Sequence, residues 1–278
     1  MVAGWAGNAP QGHAMTVVLE THSLVKRFGG IVATRDVSLR VELGARHALI
    51  GPNGAGKTTL INLLTGVLEP SSGRVALDGT DITRLAAHQR VRRGIVRTFQ
   101  INQLFPTLTP LTSLALAVSV HRGTSMRAWS RLGADAAVAA ECALLLERFR
   151  LAEVMDRPVG SLAYGKQRLL EIATALACRP RVLLLDEPVA GVPEGERQEI
   201  FETIAALPSD VSILLIEHDM DLVFNFAKTV TVLVDGAVFA EGDAATIAAD
   251  PRVKAVYLGE DESDADTTAA VDAGFDHG

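Results

Sequence analysis

The chain is expected to fold as an α/β protein around a mostly parallel sheet. Three observations predict this. Short apolar strands alternate with helical stretches on both sides of the middle of the chain. A block rich in Ala, Leu, Glu and Arg, residues 111 to 178, interrupts that alternation with helices. A Gly-rich loop stands where one apolar strand, His47-Ala-Leu-Ile50, gives way to a helix. Alternating strands and helices bury a parallel sheet under helices on both faces.

Taken in order, residues 16–24 and 35–43 alternate apolar and polar side chains, as half-buried strands do. The strand at 47–50 leads into the loop, and Lys57 to Leu68 has helical character. Arg74 to Leu77 is a strand closed by the turn residues Asp78-Gly79, and Gly94 to Phe99 is another, ending at Gln100. Within the helical block, Ala134 to Phe149 places apolar residues at i, i+3, i+4 and i+7. From residue 182 the alternation resumes, with strands at 182–186 and 211–216 followed by helices near 194–206 and 219–227. Strands 230–234 and 237–241 flank the turn Asp235-Gly236. No internal repeat is present.

At 278 residues the chain is long enough for a substantial core, with 48% hydrophobic and 21% charged residues. Its formal charge is −7, and seven acids after Gly259 account for all of it. The remainder is neutral, so no basic excess points to nucleic acid. The acidic tail, 259–278, has few large apolar residues and is expected to be disordered. Residues 1–14 lack Lys, Arg and a continuous apolar run, which excludes a secretory signal and predicts a disordered leader; Met15 is an alternative start. No apolar run approaches the roughly 20 residues of a membrane-spanning helix. Cys142 and Cys178 are isolated in apolar, helical settings and are expected to be reduced thiols.

Gly51-Pro-Asn53-Gly54-Ala55-Gly56-Lys57-Thr58-Thr59 fits the pattern G-x-x-x-x-G-K-[ST]. Glycines at 51, 54 and 56 let successive N–H groups converge on phosphates without Cβ clashes. The following helix points its positive end at the same anions. Lys57 is expected to reach the β- and γ-phosphates of a nucleoside triphosphate, and the Thr58 hydroxyl to bind Mg²⁺. The apolar strand Val182–Leu185 delivers Asp186 and Glu187 at its carboxyl end, where open α/β sheets bind ligands. Asp186 suits a role in orienting Mg²⁺, and Glu187 suits removal of a proton from an attacking water.

A third string, Leu162-Ala163-Tyr164-Gly165-Lys166-Gln167-Arg168, opens the helix LLEIATALA. With the first two motifs it resembles the ATP-binding subunits of ABC transporters, whose usual signature is LSGGQ. Ala163 stands for the usual serine, and Tyr164 and Lys166 also depart from the common form. The LAYG variant, and the stretch from Glu241-Gly242-Asp243 to Tyr257-Leu258-Gly259, resemble the branched-chain amino acid importers within that family. The resemblance covers about residues 17–258.

The resemblance implies an ABC cassette over residues 15–258: a P-loop NTPase core, an antiparallel β subdomain and a helical subdomain inserted at about 105–178. It implies ATP and Mg²⁺ as cofactors, with ATP sandwiched between two cassettes, either two copies or a copy and a paralogue. Ala163 and Gly165 of one cassette then face the γ-phosphate held by the other. Gln100 matches the glutamine that binds Mg²⁺ and senses the γ-phosphate. His218 matches the histidine that contacts the γ-phosphate and holds the attacking water. Phe28 matches the aromatic that stacks on adenine, the alternative being an ordinary core residue. Pro193 stands where the family usually has an Asp that communicates across the dimer. The implied partners are membrane permeases and an extracytoplasmic substrate-binding protein, with the chain on the cytoplasmic face of the inner membrane. The loop after Gln100, with Leu104 and Phe105, is expected to pass motion to the permease. An export or lipid-extraction ATPase shares the same cassette. A soluble ABC ATPase of DNA repair or translation usually carries long coiled coils or two cassettes, and this chain has neither. A simple P-loop kinase or GTPase would leave the helical block and the 162 motif unexplained.

Overall fold

Val17 opens the longest strand, β1 (Val17–Phe28), in the computed structural model, which describes residues 16–98, 104–123 and 135–257. β2 (Ile31–Val37), β3 (Arg40–Glu42) and β4 (Arg46–Ile50) precede helix α1 (Lys57–Thr65). Then come β5 (Ser72–Leu77), β6 (Thr80–Asp81), α2 (Ala87–Arg92) and β7 (Ile95–Arg97). Three helices follow, α3 (Pro110–His121), α4 (Ala136–Arg148) and α5 (Tyr164–Ala177). The chain continues through β8 (Val182–Asp186), α6 (Glu194–Ala205), β9 (Ser212–Ile216), α7 (Met220–Phe226), β10 (Thr229–Val234), β11 (Ala237–Asp243) and α8 (Ala244–Ala249).

Two sheets result. A five-stranded antiparallel sheet runs β2-β1-β5-β6, with β3 also on β1. A six-stranded sheet runs β11-β10-β4-β9-β8-β7, parallel except for the β10–β11 hairpin. Every residue of β8 and of β9 is buried. Their side chains alternate between two cores: Leu183, Leu185, Ile213 and Leu215 pack toward α3–α6, while Leu184, Leu214 and Ile216 pack toward α1 and the antiparallel sheet. Burial on both faces explains why these strands read as unbroken apolar runs. Each such leucine contributes about 1.5–3 kcal/mol by leaving water.

Local chemistry sets the helix ends. Gly66, at φ 75°, stops α1 three residues before the expected end at Leu68. The buried Arg90 guanidinium donates to the Leu63 and Leu64 carbonyl oxygens at 2.7 and 2.8 Å, satisfying that helix terminus. Thr109 caps α3, with Pro110 in its first turn, and Asp135 caps α4. α3, α4 and α5 pack around Leu114, Val118, Cys142, Leu146, Phe149 and Leu169. Cys142 is buried and Cys178 half-buried, both as free thiols; burial pushes the Cys142 thiol up to about 11.

Some expectations need correction. The segment 35–43 is not one strand: β2 ends at Val37 and β3 begins at Arg40, with Ser38 and Leu39 between them. The strand expected at 94–99 is ordered as 95–97 and its end lies outside the described residues. The short helices α2 and α8 and the helical turn at 251–257 were not anticipated, since each is too brief to display a period. The leader, the tail and most of the Arg- and Trp-bearing stretch 122–131 also lie outside the described residues. Among the described residues no helix is long and apolar enough to cross a membrane.

Candidate functional site

The carboxyl ends of β4, β8, β9 and β10 converge on one edge of the six-stranded sheet. The loop from β4 to α1 lies there. Gly51 takes φ 149° and Gly56 φ 95°, conformations that exclude most L residues. A Cβ at Gly51 would overlap the Leu233 carbonyl oxygen, and one at Gly56 the Ala33 carbonyl oxygen. These glycines are therefore also required by the close approach of β10 and β2. The turn after β10 is tied to both neighbours: Gly236 N–H donates to the Ala55 carbonyl at 3.0 Å, and Arg35 N–H to the Gly236 carbonyl at 2.6 Å.

A cavity of about 360 Å³ opens over this loop. It is lined by residues 53–59, by 31–33 and Arg35 of β2, by Asp235 and Gly236, and by Glu187. Asn53, Gly54, Ala55, Gly56, Lys57, Thr58 and Thr59 are thus gathered as the motif predicts. The Lys57 ammonium donates to the Gly51 and Pro52 carbonyl oxygens, the latter at 2.9 Å. The loop so holds its own cation against its own carbonyl oxygens.

Asp186 and Glu187 adjoin in sequence but diverge in space. Asp186 keeps sheet register opposite Ile216 and is 6% exposed. Glu187 takes φ 46°, its N–H donates to the Ile216 carbonyl at 2.9 Å, and it lines the cavity. A left-handed glutamate is uncommon and marks a position held by its surroundings. Arg97, at the end of β7, donates to Asp186 Oδ2 at 2.6 Å and to Asn62 Oδ1 of α1 at 2.7 Å.

The turn after β9 carries Glu217 and His218. The His218 side chain is 69% exposed, with Nδ1 3.8 Å from Glu217 Oε2. Glu217 is 1% exposed and faces the N–H groups of Val189 and His218 at 3.5 and 3.3 Å. Burial pushes its carboxyl up to about 7; those N–H groups oppose the shift, and the charges of Glu187 and Asp219 add to it.

The 162 motif lies elsewhere. Ala163 is the N-cap of α5 and offers no side-chain cap. Gly165 N–H donates to Glu196 Oε2 at 2.9 Å, and Lys166 Nζ to Glu199 Oε1 at 2.8 Å. Neither Ala163 nor Gly165 lines the phosphate-loop cavity of its own chain. Phe28, at the end of β1, is 47% exposed, with Lys26 Nζ 5.2 Å from its ring centroid. It is not a core residue, and it too lies outside the residues lining the cavity. Gln100 lies outside the described residues. The sequence reading missed Arg35, Arg97, Glu196, Glu217 and Asp235. Asp235-Gly236 was legible as a turn, but nothing along the chain reports that this turn abuts the loop 180 residues earlier.

Comparison with known proteins gives a consistent result. The family model described as ABC transporter matches residues 34–190, and that described as Branched-chain amino acid ATP-binding cassette transporter matches residues 237–263. The chain is 42% identical over 252 residues to the high-affinity branched-chain amino acid transport ATP-binding protein BraF of Pseudomonas aeruginosa, covering 87% of this chain and 98% of that one. It is 38% identical over 250 residues to the corresponding LivG of Escherichia coli K12, with the same coverage. Among solved structures it matches the ADP conformation of MJ1267, an ATP-binding cassette of an ABC transporter, with TM-score 0.77 and 34% identity over 87% of this chain and 99% of that one.

Proposed function

The chain belongs to the ABC transporter family of ATP-binding subunits, and we propose that it powers an importer of branched-chain or other hydrophobic amino acids. It binds and hydrolyses ATP for a transport system. The amino acid reading is supported by the names of BraF and LivG and by the match of residues 237–263. The observation that carries the site assignment is that Glu187 lines the same cavity as residues 53–59.

In this reading the N–H groups of residues 53–58 cradle the β- and γ-phosphates. Lys57 exchanges the Gly51 and Pro52 carbonyls for phosphate oxygens, and Phe28 stacks on adenine from the rim. Glu187 takes a proton from water as the water oxygen bonds to the γ-phosphorus. The bond from that phosphorus to the β-phosphate oxygen breaks, leaving ADP and phosphate. His218 holds the water and the γ-phosphate from the adjoining turn. Its exposure suits a group that meets its ligand when the site closes.

Among the described residues no three His, Cys, Asp or Glu gather into a metal cage. The local donors are hard oxygens, the Thr58 hydroxyl and the Asp186 carboxylate. That set fits Mg²⁺, which takes few protein ligands and completes its shell with phosphates and water. Gln100 is assigned to the same ion. Bound Mg²⁺ would neutralise charge on the β- and γ-phosphate oxygens.

ATP is sandwiched between this chain and a second cassette, either another copy or a paralogue, the phosphate loop of this chain facing the second cassette's counterpart of Ala163 and Gly165. Closing and opening of that pair drives membrane permeases, to which the chain binds peripherally on the cytoplasmic face, with an extracytoplasmic binding protein supplying substrate. The test is to tag the chain, extract it gently from native membranes and identify what accompanies it by mass spectrometry. A polytopic permease and a binding protein whose ligand is a branched-chain amino acid are expected. A permease without any binding protein would mean an exporter, and exclusively soluble partners would refute transport.

A further inference from the structure

We propose that Glu217 is a positioning residue for ATP hydrolysis, whose carboxylate ties the turn carrying His218 to the turn that follows Glu187. The inference rests on the assignment of His218 to the attacking water. The two turns leave neighbouring strands. β8 and β9 run parallel with Asp186 opposite Ile216, so the residues just beyond them emerge side by side. Glu187 N–H already closes onto the Ile216 carbonyl at 2.9 Å. Glu217, the residue after Ile216, adds a link through its side chain. Its Oε1 accepts from Val189 N–H at 3.5 Å, and its Oε2 accepts from His218 N–H at 3.3 Å.

One carboxylate thus places an oxygen on each turn. On the first turn, Val189 stands two residues after Glu187, and Ala190 N–H donates back to the Glu187 carbonyl at 3.0 Å. Fixing Val189 therefore fixes the backbone on which Glu187 sits. On the second turn, His218 is bracketed: Glu217 holds its N–H, and the next residue, Asp219, caps α7 by accepting from Leu222 N–H at 3.2 Å. The His218 ring stays 69% exposed, with Nδ1 3.8 Å from Glu217 Oε2. The backbone of this histidine is set while its ring can still meet a ligand.

Stability alone does not account for an acid at this position. The Glu217 side chain is 1% exposed, and among the described residues no Lys or Arg pairs with it. Burial raises its carboxyl, and the charges of Glu187 and Asp219 raise it further. A neutral side chain of the same shape would cost less to bury. Groups so perturbed gather at reaction centres, where their geometry serves the chemistry. Here that geometry refers the proton acceptor, Glu187, and the water-holding His218 to one rigid point.

Glu217→Gln keeps the size of the side chain but cannot present an oxygen to both N–H groups. In a phosphate-release assay on the full chain it is expected to lower kcat about tenfold, the scale of one lost hydrogen bond to a charged group, with KM for ATP unchanged. Its melting temperature at pH 8 should be no lower than the parent's, so the loss is not one of folding. The decisive arm is a double-mutant cycle. In a His218→Ala background, Glu217→Gln should lower kcat no further, because no imidazole is left to place. The full tenfold loss in that background, a change in KM alone, or a lower melting temperature would give Glu217 a role independent of His218 and overturn the inference. Parent-like kcat in Glu217→Gln beside a slow His218→Ala would also overturn it, leaving the His218 assignment standing. Parent-like kcat in His218→Ala would remove that assignment, and the inference with it.

Discussion

Arg97 and Asp186 form a short ion pair, Nη2 to Oδ2 at 2.6 Å, at 11% and 8% side-chain exposure. The same guanidinium reaches Asn62 Oδ1 at 2.7 Å, so one side chain joins the ends of β7 and β8 to α1. Removing one partner of a buried pair leaves the other charge uncompensated. Arg97→Met is expected to lower stability by about 3 kcal/mol, seen in chemical denaturation. An unchanged midpoint would show that Asp186 is adequately solvated without Arg97.

Glu187→Gln preserves shape but removes the proton acceptor. ATP affinity should be retained while turnover falls by about 10²–10⁴-fold, the usual contribution of a general base. Calorimetry and a phosphate-release assay separate the two. Hydrolysis at the parent rate would remove Glu187 from the chemistry.

Lys57→Ala removes the cation that the loop holds against the Gly51 and Pro52 carbonyls. ATP binding should be abolished or greatly weakened, while the loop glycines keep their backbone contacts. Unchanged affinity in fluorescent-nucleotide titration would sink the phosphate-loop assignment.

Glu217 gives a stability signature. Its folded carboxyl titrates at about 7 against an ordinary 4.5, so the folded state holds the proton more tightly. Stability is therefore greatest below the ordinary value and declines as pH rises through 4.5 to about 7. The full decline amounts to about 3 kcal/mol, at 1.36 kcal/mol per unit. Glu217→Gln should melt higher than the parent at pH 8 and show stability rising with pH between about 4 and 6.5, the His47 contribution that Glu217 offsets in the parent. A variant with the parent's profile and the parent's melting point at pH 8 would place the effect elsewhere.

His47 behaves in the opposite sense. It is 1% exposed in β4, with Nε2 2.8 Å from Thr231 Oγ1 of β10. Burial holds it down to about 4, against an ordinary 6.5, with the Arg40 backbone contact working the other way. Its contribution is present above 6.5 and is lost as pH falls through that window to about 4. The two slopes overlap and partly cancel in the parent chain, so each emerges only when the other is removed. His47→Gln should therefore unmask the Glu217 effect, with stability falling as pH rises from about 4.5 to about 7, and a profile unchanged from the parent's would contradict the assignment.

Much of the site could be seen along the chain because its parts are local. A strand, a glycine loop and a helix in succession gather residues 51–59, and an apolar strand ends at Asp186. Phe28 is different. Its aromatic character was visible, but its exposure depends on where the β1–β2 hairpin lies. The apparent single strand at 35–43 is interrupted at residues 38–39, where Leu39 N–H donates to the Thr21 hydroxyl at 2.9 Å, a long-range contact that alternation of side chains does not report.

What the amino-acid sequence alone determined is the α/β class, the phosphate loop and the acid pair, since each depends on neighbours within a few residues. Tertiary structure decided the rest. It brought Arg97 to Asp186, Gly236 to Ala55 and Glu196 to Gly165, pairs 89, 181 and 31 residues apart. It also turned Glu187 into the cavity while leaving Asp186 in the sheet. These contacts follow from strand order and helix packing, which set distances between residues that no local pattern relates.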